Sequence, residues 1–280
     1  MANPIDYHIH SNRGDGIYSP KQLVAMTDAT GITAAAITDQ DDFSSYEEAQ
    51  KEINDHPGQY SVKFTPGVEI STSFEGINCH LIGLHFNPNS PSMKKLVEDS
   101  KKFRVARTHA MIEHVKNQGV AIPDRTMEDI LRNEKICSKR HLANMITATK
   151  LTDLNADVFR ASYLDNMDVS RMKLPAPHVI GMIHGCPGAI VSLAHPITVA
   201  EENGLMNGEL EMFIKKLADK GLDAIEAFSS RHDVAHKDYY YKLAGKFSLK
   251  TTAGSDFRGA KDGIMLGQII KPDEPAAKAK

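Results

Sequence analysis

The chain has 280 residues, with 33 Lys and Arg against 36 Asp and Glu, 41% apolar residues, 13 histidines, 3 cysteines and no tryptophan. That length and apolar share predict one large α/β domain or a domain with an insertion; they exclude wholesale disorder, and no run of about 18 apolar residues exists to span a membrane. Three cysteines without CxxC spacing, a start (MANPIDYHIH) with neither a basic nor an apolar leader, and a net charge of −3 argue against a disulfide framework, a secretory signal and a broad field for nucleic acid, so the expected place is the cytoplasm.

In chain order, compact runs rich in Ile, Val and Ala predict seven strands, over 4–10, 34–38, 62–71, 77–84, 189–194, 222–228 and 249–253. Helical patterns lie between several of them, such as 20–30 before Gly31 and 210–220 before Gly221, where glycine suits the left-handed position past a helix end. Alternating strands and helices point to a parallel sheet or a barrel. The alternation breaks from about residue 87 to 178. There Leu96, Val97, Phe103, Met111 and Val115 recur at helical spacing, Thr126 to Asp129 has the form of a capping box, and Ser138 suits the cap of a helix over 139–149. The stretch reads as an all-helical insertion, with Lys94, Lys95, Lys101, Lys102, Arg104 and Arg107 as a solvated face or, alternatively, an anion-attracting one. The closing KPDEPAAKAK reads as a loose tail.

Asp6, His8 and His10 stand at i, i+2 and i+4 of the first strand, so their side chains leave one face. Two imidazoles at that spacing can chelate an ion, although one His-x-His pair by itself carries little. The weight comes from the other strands, which bring Glu69, His80, His195 and Asp256 to or near their ends. In a parallel barrel such positions line the mouth where active sites form.

DYHIHSNRGDG, ITDQDD, GVEIS, CHLIGL, SLAHP and GSDFRG resemble, in order and spacing, the signature segments of the polymerase and histidinol phosphatase (PHP) family of metal-dependent phosphoesterases. The branch it looks closest to acts on nucleotide and sugar phosphates. The resemblance implies a distorted (β/α)7 barrel made of 1–88 and 179–280, with 89–178 as a helical cap. It also implies that His8, His10 and Asp256 hold one divalent metal and that Glu69 bridges to a second held by His80 and His195. Imidazole and carboxylate ligands suit Mn, Fe or Zn. The implied reaction is hydrolysis of a small phosphate ester, a monoester or a cyclic or short diester, by hydroxide activated between two metals.

Two departures from the family pattern narrow that expectation. Members with three metals carry TDHD and GSDFHG, whereas this chain keeps Asp15 but has Gln40 and Arg258 where the two histidines stand, which argues against a third metal. Arg258 is expected to replace that cation, pairing with Asp15 and facing a substrate phosphate. Arg140 and His141 open a predicted helix whose N-terminus suits an anion, and Arg231 and His232 follow the strand ending at Phe228. His232 is the expected general acid, because an unperturbed imidazole titrates near working pH. The expected partner is a small phosphorylated metabolite, with no long nucleic acid and no membrane. Two other readings stand beside this one: a binuclear amidohydrolase acting on an amide or lactone, against which Arg140, Arg231 and Arg258 argue, and a catalytically degenerate family member that binds a ligand.

Overall fold

The computed structural model describes residues 5–132, 138–259 and 263–269; Cys137 and the expected loose tail lie outside them. The described residues form a mixed α/β fold. Its first part runs β1 (Ile5–Ile9), α1 (Pro20–Ala29), β2 (Ala34–Ile37), α2 (Ser44–Asp55), β3 (Lys63–Phe64), β4 (Gly67–Phe74) and β5 (Ile77–Leu84). Four helices follow, α3 (Pro91–Asn117), α4 (Asp124–Arg132), α5 (Lys139–Ala148) and α6 (Ala156–Tyr163), then a 3-10 turn at Ser170–Met172 and β6 (Leu174–Pro175). The chain closes with α7 (Ala176–His184), β7 (Ile190–Leu193), α8 (Pro196–Asn203), α9 (Asn207–Ala218), β8 (Ala224–Ser229), α10 (Val234–Lys246) and β9 (Lys250–Gly254).

Local chemistry sets several boundaries. Ser19 caps α1 by accepting the Gln22 amide while Gln22 reaches back to the Ser19 amide, with Pro20 in the first turn. Ser138 caps α5 by accepting the His141 amide, as its sequence predicts. The expected capping box at Thr126 is corrected, since α4 begins at Asp124 and Thr126 lies inside it. The strand expected over 62–71 is two strands. Pro66 has no amide hydrogen to extend a ladder, and between β3 and β4 the chain passes from one sheet to the other.

β1, β2 and β3 form a parallel sheet; the second sheet has the order β6-β4-β5-β7-β8-β9. In it β5 runs antiparallel to both β4 and β7, so the simple strand–helix alternation expected from the sequence is corrected by a hairpin. The sheets touch at two single bridges, Ile9 with Phe257 and Gln40 with Glu69. Main-chain bonds reinforce both seams: the His10 amide donates to the Phe257 carbonyl at 2.8 Å, and the Asp41 amide to the Glu69 carbonyl at 2.8 Å.

One apolar core lies under the second sheet, where Val68, Leu81, Leu193 and Ile225 meet Val179, Leu217 and Leu243. A second, with Leu23, Val24, Ile37 and Ala49, joins the first sheet to α1 and α2. A third cluster belongs to residues 111–169 and includes Met111, Ile112, Leu142, Ile146 and Phe159. The 27-residue α3, about 40 Å long at 1.5 Å per residue, puts Met93 and Leu96 in the first core and Met111, Ile112 and Val115 in the third. The stretch expected to be all-helical is not entirely so, because β6 adds a parallel edge to β4. Nor is its basic face wholly solvated: Arg104 and Arg107 are buried, Arg104 donating to the Gln40 carbonyl at 3.2 Å and Arg107 to the Met172 carbonyl at 3.4 Å.

Candidate metal centre

The two seams place the expected ligands around one carboxylate. Alternation along β1 directs His8 inward, with His10 just past its end, and both are fully buried. Glu69 lies near the start of β4, fixed by main-chain bonds to the Asp39 and Asp41 segment, and is also fully buried. Its Oε1 is 2.9 Å from His80 Nδ1, 3.2 Å from His195 Nε2 and 3.5 Å from His8 Nε2; its Oε2 is 3.6 Å from His10 Nε2. Asp256 Oδ1 is 3.5 Å from His8 Nε2 and 3.3 Å from His10 Nε2. His195 (φ 25°) and Asp256 (φ 55°) have left-handed backbones unusual for residues with a Cβ, each two residues past the end of a strand, so local conformational cost accompanies the aim of both side chains. Asp6, on the same face as His8 and His10, does something else. It accepts the amides of His8, Ser255 and Gly267, tying three segments together below the cluster.

Two groups here have the donor atoms and spacing to hold an ion: His8, His10 and Glu69, and Glu69, His80 and His195. His8 Nε2, His10 Nε2, Glu69 Oε2 and His195 Nδ1 are buried without a hydrogen-bond partner among the described residues. Unpaired buried acceptors are costly, and neutral imidazole beside carboxylate is a donor set suited to divalent cations, so the residues fit a metal. The charges agree. Burial works against ionisation of Glu69, yet His80 and His8 overcome it and hold the carboxyl well below its usual range. Burial likewise opposes a charge on His8, but Glu226, Asp256 and Glu69 hold its pKa well above the ordinary value, so an arriving cation has to displace a proton from this ring.

The two departures from the family pattern face different ways. Arg258 donates from Nε to Asp15 Oδ2 at 2.8 Å, pairs through Nη1 with Asp256 Oδ1 and stands 4.0 Å from Glu69 Oε2. Burial would raise the Asp15 pKa, but Arg258 and His10 lower it. Gln40 turns instead to Ser71, whose hydroxyl accepts its amide at 2.9 Å, and to His80 Nε2 at 3.4 Å. Arg231, exposed at the rim, donates to Asp256 Oδ2 at 2.7 Å from Nε and 2.5 Å from Nη2, so two arginines flank one carboxylate. His141 is brought within reach of the cluster from α5: burial lowers its pKa while Asp15 pulls it up, and Arg258, Arg140 and His10 act on it too. Arg140, beside it in the first turn of α5, is exposed.

His232 does not suit the role expected of it. It is fully buried, its ring packs 4.7 Å from that of Tyr240, and its Nδ1 donates to the Ala227 carbonyl at 3.0 Å. A carbonyl only accepts, so Nδ1 carries the proton and neutral Nε2 has none to give. Burial pushes the pKa down to about 4, so near neutrality the ring is no general acid. The depressed value also has a sign for stability. As pH falls below 6.5 the unfolded chain takes up this proton first, so His232 supports the fold above that pH and loses its contribution towards pH 4. In the metal-free protein, His232→Phe is expected to reduce the loss of unfolding free energy between those pH values by about 3 kcal/mol, measured by urea unfolding at several pH values. An unchanged pH slope would contradict it.

One buried group escaped the sequence reading. Glu226, in the middle of β8, bonds His8 Nδ1 at 2.8 Å and the His195 amide at 2.7 Å. Its signal was present as a single carboxylate within the apolar run Ala224-Ile225-Glu226-Ala227-Phe228, where burial without a partner would be prohibitive.

The family model described as PHP domain matches residues 6–166, more than half of the chain. A Haemophilus influenzae protein named 5'-3' exoribonuclease is 26% identical over 277 residues, covering 96% of this chain and 95% of its own length. A Chromobacterium violaceum 3',5'-nucleoside bisphosphate phosphatase is 25% identical over 269 residues, covering 94% and 90%. Among solved structures, one described as an amidohydrolase from Chromobacterium violaceum, with bound sulfate and no metal, superposes with a TM-score of 0.76 at 22% identity, over 96% of this chain and 94% of that one; a likeness at that identity speaks for the fold.

Proposed function

The chain belongs to the PHP domain family and is a metal-dependent phosphoesterase, and from that premise we propose that it hydrolyses a small phosphate ester, a nucleotide or sugar phosphate, at a centre of two divalent ions. His8, His10 and Asp256 hold one ion, His80 and His195 the other, and Glu69 bridges them. The observation that carries this reading is that both ion-holding groups share Glu69, with acceptor atoms of each left unpaired in the interior. Mn, Fe and Zn all suit such donors. When bound, two cations neutralise phosphate oxygens and lower the pKa of a water at the site.

The other roles fall to the chain's own side chains. Arg258, held by Asp15, keeps a fixed positive fork beside the carboxylates and takes the place of a third cation. Arg231 at the rim, and Arg140 and His141 at the N-terminus of α5, receive the anionic substrate. We read the two sheets and their two bridging seams as the distorted (β/α)7 barrel, built from 1–88 and 179–280, and the helices of 89–178 as a cap that brings α5 to the mouth.

Arg231 and Arg258, both paired with Asp256, favour a phosphate over an amide or lactone. The relative named as a nucleoside bisphosphate phosphatase supports a small substrate. Those named 5'-3' exoribonuclease favour a second reading, attack at the 5' end of RNA, and weaken the expectation that long nucleic acid is excluded. Metal analysis joined to a phosphate-release screen tests both. Two ions per chain with turnover of nucleoside bisphosphates, cyclic phosphates or sugar phosphates are expected. Three ions per chain would overturn the two-ion centre, and turnover confined to RNA would replace the small ester by the second reading.

A further inference from the structure

We propose that Glu226 is a positioning residue that serves both ions at once, orienting the His8 ring through Oε1 and the His195 main chain through Oε2; this rests on the two-ion reading above. The carboxylate is 1% exposed and lies 2.8 Å from His8 Nδ1 and 2.7 Å from the His195 amide nitrogen. His8 belongs to one ion-holding group and His195 to the other, and their rings stack 5.6 Å apart. A carboxylate only accepts, so His8 must present Nδ1–H to it. That leaves Nε2, buried and without a hydrogen-bond partner beside Glu69 and Asp256, as the nitrogen that can take an ion once a proton is displaced from it. On the other side, the bond to the His195 amide secures a residue whose left-handed backbone would otherwise relax. The neighbouring strand leaves room for this clasp. A Cβ on Gly254 would come 2.2 Å from His8 Cβ and 2.5 Å from Glu226 Oε1, so only glycine lets β9 pass beneath the pair.

Glu226→Gln separates this role from mere support because its shape is conserved while its hydrogen-bond capacity is not. The His195 main-chain N–H cannot change and takes the single amide oxygen. The NH2 group then faces His8 Nδ1 and forces that ring into the Nε2–H form, which has no lone pair for an ion. The probe is Zn2+ titrated calorimetrically into the whole chain stripped of metal, with 15N NMR of the zinc-loaded histidines. Wild type is expected to bind two zinc ions with a proton on His8 Nδ1. Glu226→Gln is expected to bind the ion of the His8 group about 10- to 100-fold more weakly while keeping the other near its original affinity, and Glu226→Ala to weaken both. Gly254→Ala, which changes no donor, is expected to weaken the His8 group by steric displacement alone. Two ions bound by Glu226→Gln at wild-type affinity, an equal loss at both sites in that variant, or a zinc-loaded wild type without a proton on His8 Nδ1 would each overturn the proposal. A wild-type chain that binds fewer than two zinc ions overturns the two-ion reading and the proposal with it.

Discussion

Glu69→Gln is expected to lower kcat/KM for phosphate release by on the order of 10³-fold or more, with at least one of the two ions lost. The magnitude follows from position. Glu69 is the residue shared by both ion-holding groups, within 3.6 Å of nitrogen atoms on His8, His10, His80 and His195. Losing the carboxylate weakens both groups, and several kcal/mol of transition-state stabilisation withdrawn at about 1.4 kcal/mol per decade amounts to roughly three orders of magnitude. The amide keeps the shape but has one acceptor where the carboxylate has two, and its NH2 confronts imidazole nitrogens. Steady-state kinetics together with metal content per chain would check it. Near-normal turnover with both ions retained would remove Glu69 from the centre.

Arg258→Ala is expected to leave both ions in place and to lower turnover of the same ester by about 10²- to 10³-fold, the usual loss when one fixed positive or donor group at a developing charge is removed. The guanidinium touches Asp15 and Asp256 and approaches Glu69, so its charge acts on the carboxylates and on any phosphate drawn to them. Arg258→Lys is expected to recover only part of the loss, because an ammonium supplies the charge without the planar fork. A second cost accompanies the first. With Arg258 gone, Asp15 and Asp256 keep their negative charges in a mostly buried setting, and the metal-free variant is expected to unfold more easily by a few kcal/mol, read from denaturant unfolding. Unchanged kinetics in Arg258→Ala with two ions retained would reduce the arginine to charge balance.

Much of the fold was legible because strand and helix periods are local. Residues 77–84 match β5 residue for residue, and Ser138 announces its helix through a side chain that accepts an amide within the first turn. The partner of each strand was not local, and the antiparallel insertion of β5 between β4 and β7 leaves no trace in the composition of those runs. The candidate centre followed the same division. His8 and His10 declare themselves by spacing, and the remaining ligand types recur at strand ends. Whether a lone histidine points to water, to a carbonyl or to a carboxylate depends on what the fold lays beside it. His232 departs from its expected role for that reason, since its character comes from Tyr240 and the Ala227 carbonyl. The roles of Asp6 and Glu226 likewise arise from main-chain groups far away in sequence, at Ser255 and His195.

The long α3 acts as a beam held at both ends. Its first turns are fastened into the core beneath the second sheet and its last turns into the helical cluster of residues 111–169. Midway, Arg104 rests on the Gln40 carbonyl and lies 3.6 Å from Asp41, on the loop whose amide bonds Glu69. That contact is a fulcrum. Any displacement of the beam would load the same loop that steadies Glu69, so the seating of the carboxylate depends on where α3 lies.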